Sequence, residues 1–76
     1  MSPSDLVAAL EANGVSVATV HIDGRPALLA KRQIGDLLIE RLILDLPVRV
    51  PGSMRVALAR DFDVPLAALA IAAHDL

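Results

Sequence analysis

The residues of this chain that could do chemistry are few: His21, His74, the neighbouring carboxylates Asp61 and Asp63, and seven dispersed Lys and Arg. Acid–base catalysis needs two titratable groups converging on one cleft. The spacing argues against that here, because Asp61 falls at the end of one expected helix and Asp63 is placed to cap the next. His21 is expected late in a strand, on the face of Val15, Val17 and Thr19. His74 lies near a helix C-terminus, where the last carbonyls favour a cation, and both histidines read as structural or solvent-facing. The sequence holds no His-x-x-x-His, Gly-x-Ser-x-Gly, P-loop or Gly-x-Gly-x-x-Gly motif. With no cysteine, disulfides, thiolate metal sites and Cys nucleophiles are excluded. The expectation is a protein that is not an enzyme, with no catalytic residue, no metal and no cofactor.

Charge narrows the partners. Seven basic residues scattered among nine acidic ones give a net charge of −2, whereas phosphate binding depends on clustered Lys and Arg, so nucleic acid is an unlikely partner. A membrane-spanning helix needs about 20 apolar residues; the longest apolar run here, Val64 to Ala73, has ten, so no membrane association is expected. The N-terminal residues lack a basic stretch followed by an apolar run, so no secretory signal is expected and the cytoplasm is the default location. At 76 residues and 55% hydrophobic, the chain (1–76) reads as one small folded domain with a single core.

The elements that must position these groups follow from local signals. Ser2 can cap a helix with Pro3 at its first position, and Asn13-Gly14 can stop it, which gives a helix over about 3–13. Val15 to Ile22 is rich in β-branched residues, and the following Asp23-Gly24 suits a type I′ hairpin turn. The return strand is expected over Arg25 to Ala30, with Pro26 restricting it to a sheet edge. Ile34, Leu37, Leu38, Arg41 and Leu42 follow the 3.6-residue period and predict a second helix over about 32–43. Leu44, Leu46, Val48 and Val50 alternate and predict a short extended segment. Ser53 can cap a third helix, Met54 to Phe62, and Asp63 a fourth that runs to about Asp75. The expected fold class is α+β, in the order α-β-β-α-(short β)-α-α, with the hairpin packed on helices.

That fourth segment is apolar all the way round, and as a helix it would need burial on every side. A chain this small has little surface to spare for that. The expectation is a homo-oligomer, most simply a dimer, with Leu66, Leu69, Ala70, Ile71 and Ala73 at the interface.

Two stretches are similar to known families. Ser4 to Val15, a hairpin carrying Gly24-Arg25 and a Leu-rich segment after it together resemble the β-hairpin (TubC-like) docking domains of nonribosomal peptide and polyketide synthetases. That resemblance implies an αββαα arrangement and a short peptide tail of a partner protein held along the hairpin's exposed edge. Arg25, Lys31 and Arg32 would then be the partner-binding cations for an acidic tail. Val48-Arg49-Val50-Pro51 followed by two helices resembles the ribbon-helix-helix repressors and antitoxins, which implies a strand paired across a dimer with Arg49 reading the major groove. A protein–protein docking module that self-associates is the leading reading, and a ribbon-helix-helix DNA-binding regulator is the alternative.

Overall fold

The computed structural model describes residues 1–70. Helix α1, Pro3–Ala12, begins as the sequence predicts: the Ser2 hydroxyl accepts a hydrogen bond from the Asp5 N–H at 3.1 Å, with Pro3 in the first turn. Its end is a Schellman turn. Gly14 stands at φ 84°, Val15 N–H donates to Leu10 O at 3.0 Å and Gly14 N–H to Glu11 O at 3.2 Å. Leu10 and Val15, which this turn brings together, are both buried in the core.

Three strands follow in a meander, β1 (Ser16–Ile22), β2 (Arg25–Ile34) and β3 (Leu37–Ile43), forming one antiparallel sheet in the order β1-β2-β3. The first turn is the expected one, with Asp23 at φ 51° and Gly24 at φ 78°. The α+β class is therefore correct, but the helix expected over 32–43 is the end of β2, a second tight turn and β3. Gly35, at φ 58°, takes the first central position of that turn, where a positive φ calls for glycine. The mistaken period has a physical origin. Ile39 and Ile43 pack toward the helices while Leu38 and Leu42 lie on the opposite face. A strand apolar on both faces loses its alternation and counts as readily in threes and fours as in twos.

Pro26 also needs a correction, since its strand is the central one. The two-residue turn makes Ile22 and Arg25 a hydrogen-bonded pair, so the alternate residue Pro26 directs its N–H side away from β1. On that side β3 pairs with β2 only from Leu28 onward. The ring therefore removes no ladder bond, which is the requirement a strand proline has to meet.

Residues 44–51 form no strand, contrary to the alternation read there. They make an irregular crossing pinned where Val50 N–H donates to Met1 O at 2.8 Å, with Val50 buried. Helix α2, Gly52–Phe62, starts after Pro51 with no side-chain cap, so Ser53 lies inside the helix. Asp63 does not cap a following helix: at φ 53° it is the left-handed residue of a second Schellman turn, with Val64 N–H donating to Ala59 O at 2.9 Å. Beyond it Leu66–Leu69 is a single 3₁₀ turn, ended by Ala70 at φ 56°. The first part of the apolar run is thus no α-helix, and residues 71–76 lie outside the described part.

α1, α2 and the 3₁₀ turn all pack on one face of the sheet, around Leu6, Leu10, Phe62 and Leu69. Three arginines tie the layers. Arg32 Nη1 donates to Phe62 O at 2.6 Å and Asp63 O at 3.2 Å, at the end of α2. Its guanidinium also lies 3.9–4.0 Å from where a Cβ on Gly14 would stand, so one cation sits between two helix C-termini. Arg55 Nη1 donates to Leu69 O at 2.9 Å and Ala70 O at 3.0 Å, closing the 3₁₀ turn. Arg41 Nε pairs with Asp61 Oδ2 at 2.9 Å, joining β3 to α2.

Candidate functional site

Among the described residues, the groups that could have done chemistry do not converge. His21 is exposed at the end of β1, Asp61 is paired with Arg41, Asp63 is an exposed turn residue, and His74 falls outside the described part. No group of three or more metal-ligating side chains forms among the described residues. The sequence-predicted partner cations separate into two kinds. Arg25 and Lys31 are exposed on β2, opposite Ile22 and Ser16 of β1, whereas Arg32 is engaged with the end of α2. Of the expected interface residues, Leu69 is wholly buried in its own chain. Leu66 is half-buried against the same core, Ala70 is exposed, and Ile71 and Ala73 lie outside the described residues. Leu69 is thus unavailable to a second chain, because the 3₁₀ turn wedges it between α1 and α2.

Among the described residues, the surfaces left open belong to the sheet. Strand β1 is an edge seven residues long, Ser-Val-Ala-Thr-Val-His-Ile, with neither Lys, Arg, Asp, Glu nor Pro. Such residues are what natural edges use to discourage further pairing. Since Ile22 and Arg25 bond to each other, the alternation leaves the N–H and C=O groups of Val17, Thr19 and His21 directed away from β2. Among the described residues no other backbone group bonds to them. The opposite edge, β3, carries Glu40 and Arg41.

The second open surface is the face of the sheet turned away from the helices. Val20 and Leu29 are half-buried and Ala27 is buried, yet none of them packs in the core cluster; they shelter one another on the far side. Ile22, Leu38 and Leu42 extend that face and are 41%, 50% and 46% exposed. Sequence reasoning missed this surface because β3 was assigned to a helix; the signal was present in the unbroken apolar runs Ala27-Leu28-Leu29-Ala30 and Leu42-Ile43-Leu44.

No family model matches this chain, and no similar curated protein or solved structure was found.

A third feature is a cleft of about 500 Å³ between the first turn of α1 and the Asp23-Gly24 end of the sheet, with Val7, Leu28, Ile43 and Leu46 among its walls and Arg25 and Asp45 also lining it. The two opposite charges favour neither an anion nor a cation. No helix among the described residues is long and apolar enough to cross a membrane.

Proposed function

We propose that the protein is a cytoplasmic docking module that binds an extended segment of another protein along the open edge of β1. The observation that carries this reading is the uncharged, proline-free edge whose Val17, Thr19 and His21 amides have no partner among the described residues. Strand addition draws its affinity from main-chain hydrogen bonds and takes specificity from alternate side chains, so it needs no catalytic constellation. Arg25 and Lys31 stand at the two ends of the β1–β2 pairing, where they favour a segment with acidic residues; Arg32 is committed elsewhere. The reading shares with the TubC-like docking domains an N-terminal helix followed by a hairpin. It departs from their arrangement at β3, which stands where the Leu-rich helix was expected.

Titration with short acidic peptides of strand length, followed by amide NMR shifts, tests the proposal. Shifts confined to β1 are expected, together with loss of binding in Thr19→Pro, which removes an outward N–H and leaves the bonds to β2 in place. Shifts on α2, or equal binding by the variant, would refute it. The ribbon-helix-helix alternative is not favoured by any observation here, because it needs a strand around Arg49 and residues 44–51 form none.

A further inference from the structure

We infer that the outer face of the sheet is covered by a second copy of this chain, so that two sheets pack face to face in a two-fold dimer with the helices on the outside. The inference does not rest on the edge-docking reading. Its first support is the pattern of the strands. A sheet with one face in water alternates apolar and polar residues, and one covered on both faces reads as continuous apolar runs. The middle of β2, Ala27 to Ala30, and the two ends of β3, Leu37 to Ile39 and Leu42-Ile43, read in the second way. On the uncovered side Ala18 and Leu42 flank Leu29 in one row, and Val20 pairs with Ala27 in the next. None of these side chains can accept or donate a hydrogen bond.

The second support is shape and size. The molecule is a plate, 39 × 33 × 17 Å, and the outer face of the three-stranded sheet, with the turns beside it, lies on one of its broad sides. That side is large enough for the roughly 800 Å² per partner that a stable interface buries. Its centre, Ala18, Val20, Ala27, Leu29 and Leu42, is aliphatic. Small ligands are usually held in concave sites with a few placed polar groups, and partners of other kinds are commonly anchored by aromatic or Arg side chains in pockets. An identical sheet has the same twist, and two such sheets interdigitate at about 30° with their backbones about 10 Å apart. A closed two-fold arrangement then covers both faces at once.

Charge does not oppose the pairing. Lys31 and Glu40 are cross-strand neighbours in the row between Leu29–Leu42 and Gln33–Leu38, next to Ser16, so this row sets opposite charges side by side, and Arg25, opposite Ile22, is the one further charge among the strand residues of this face. The proposed dimer leaves both β1 edges open.

Sedimentation and light scattering on the whole chain at micromolar concentration are expected to give twice the chain mass of 8.0 kDa. Thermal unfolding should then depend on protein concentration. Leu42 is 46% exposed in the single chain, so Leu42→Lys should fold. It places two charges in the apolar interface and should weaken association by roughly 100-fold or more. If that variant fails to fold, the wild-type protein still decides the matter. In a sample mixing isotope-labelled and unlabelled chains, methyl contacts between copies are expected at Val20, Leu29 and Leu42. A monomer overturns the inference, and so does a dimer whose contacts lie along β1 or on the helices. The two readings fail separately: a monomer that still binds peptide along β1 refutes only the dimer, and a face-to-face dimer that binds none refutes only the docking.

Discussion

Arg32→Met tests whether this cation belongs to the fold or to a partner. The substitution keeps an apolar stem of similar length, which preserves the packing of the side-chain methylenes, and removes the guanidinium that donates to Phe62 O and Asp63 O. A hydrogen bond from a charged donor contributes about 1.5–3 kcal/mol where the acceptor would otherwise be left unsatisfied. Here the second bond is exposed and longer, and water can reach part of the vacated site, so the lower part of that range applies. A loss of about 1–2 kcal/mol is expected, the favourable position between two helix C-termini included. For a domain of this size the urea slope is near 1 kcal/mol/M, so the midpoint should fall by about 1–2 M. The melting temperature should fall by about 5–15 °C. The control is Arg49→Met, an exposed arginine on the irregular crossing, for which a change within about 0.5 kcal/mol is expected. Both variants are to be compared with the parent at one protein concentration, because association would shift every midpoint. Equal midpoints for the two variants would refute the capping role and return Arg32 to the partner-binding cations.

Two further outcomes follow from the C-terminal part of the described chain. Leu69→Ala should cost about 2–5 kcal/mol by chemical denaturation, since Leu69 is wholly enclosed, while leaving the mass of the folded species unchanged; a variant that kept its stability but changed its mass would show Leu69 at a subunit interface. Ala70→Gly should raise stability by about 0.5–1 kcal/mol, because Ala70 is exposed at φ 56° and a Cβ is unfavourable there; an unchanged or lowered midpoint would count against strain at that residue.

The parts of the fold legible in the sequence are those written in local chemistry. Ser2 and Pro3 start α1, Asn13-Gly14 ends it, and Asp23-Gly24 turns the first hairpin, each through a side chain or a positive φ that few other residues supply. The parts that were misread depend on tertiary context. Asp63 occupies the left-handed position that glycine usually takes after a helix, so its presence was read as the start of a helix instead of the end of one. Gly35-Asp36 falls inside the helix that the period predicts over 32–43 and is a turn in the structure. Arg32 counts among the partner-binding cations by resemblance because nothing local to it reveals the carbonyls at the end of α2, 30 residues away. The open amides of β1 became visible only once the register was known.

Two of the differences, the third strand and the run from Val64, bear on assembly. A composition that is 55% hydrophobic exceeds what a small two-layer plate can bury, and the surplus had to be placed somewhere. Reasoning from the sequence put it in the uncharged run from Val64 to Ala73. In the structure the described part of that run is absorbed locally: Val64 and Leu69 enter the core, Pro65 and Ala67 are exposed, and a single 3₁₀ turn separates them from any long helix. The surplus lies on the outer side of β2 and β3, in the very residues whose lack of alternation made β3 look helical. A strand selected to meet water on one side has polar residues at every second position. β3 has Leu38 and Leu42 there, separated by Glu40 alone. The feature that hid the third strand from a periodicity argument is thus the one that calls for a second layer against it.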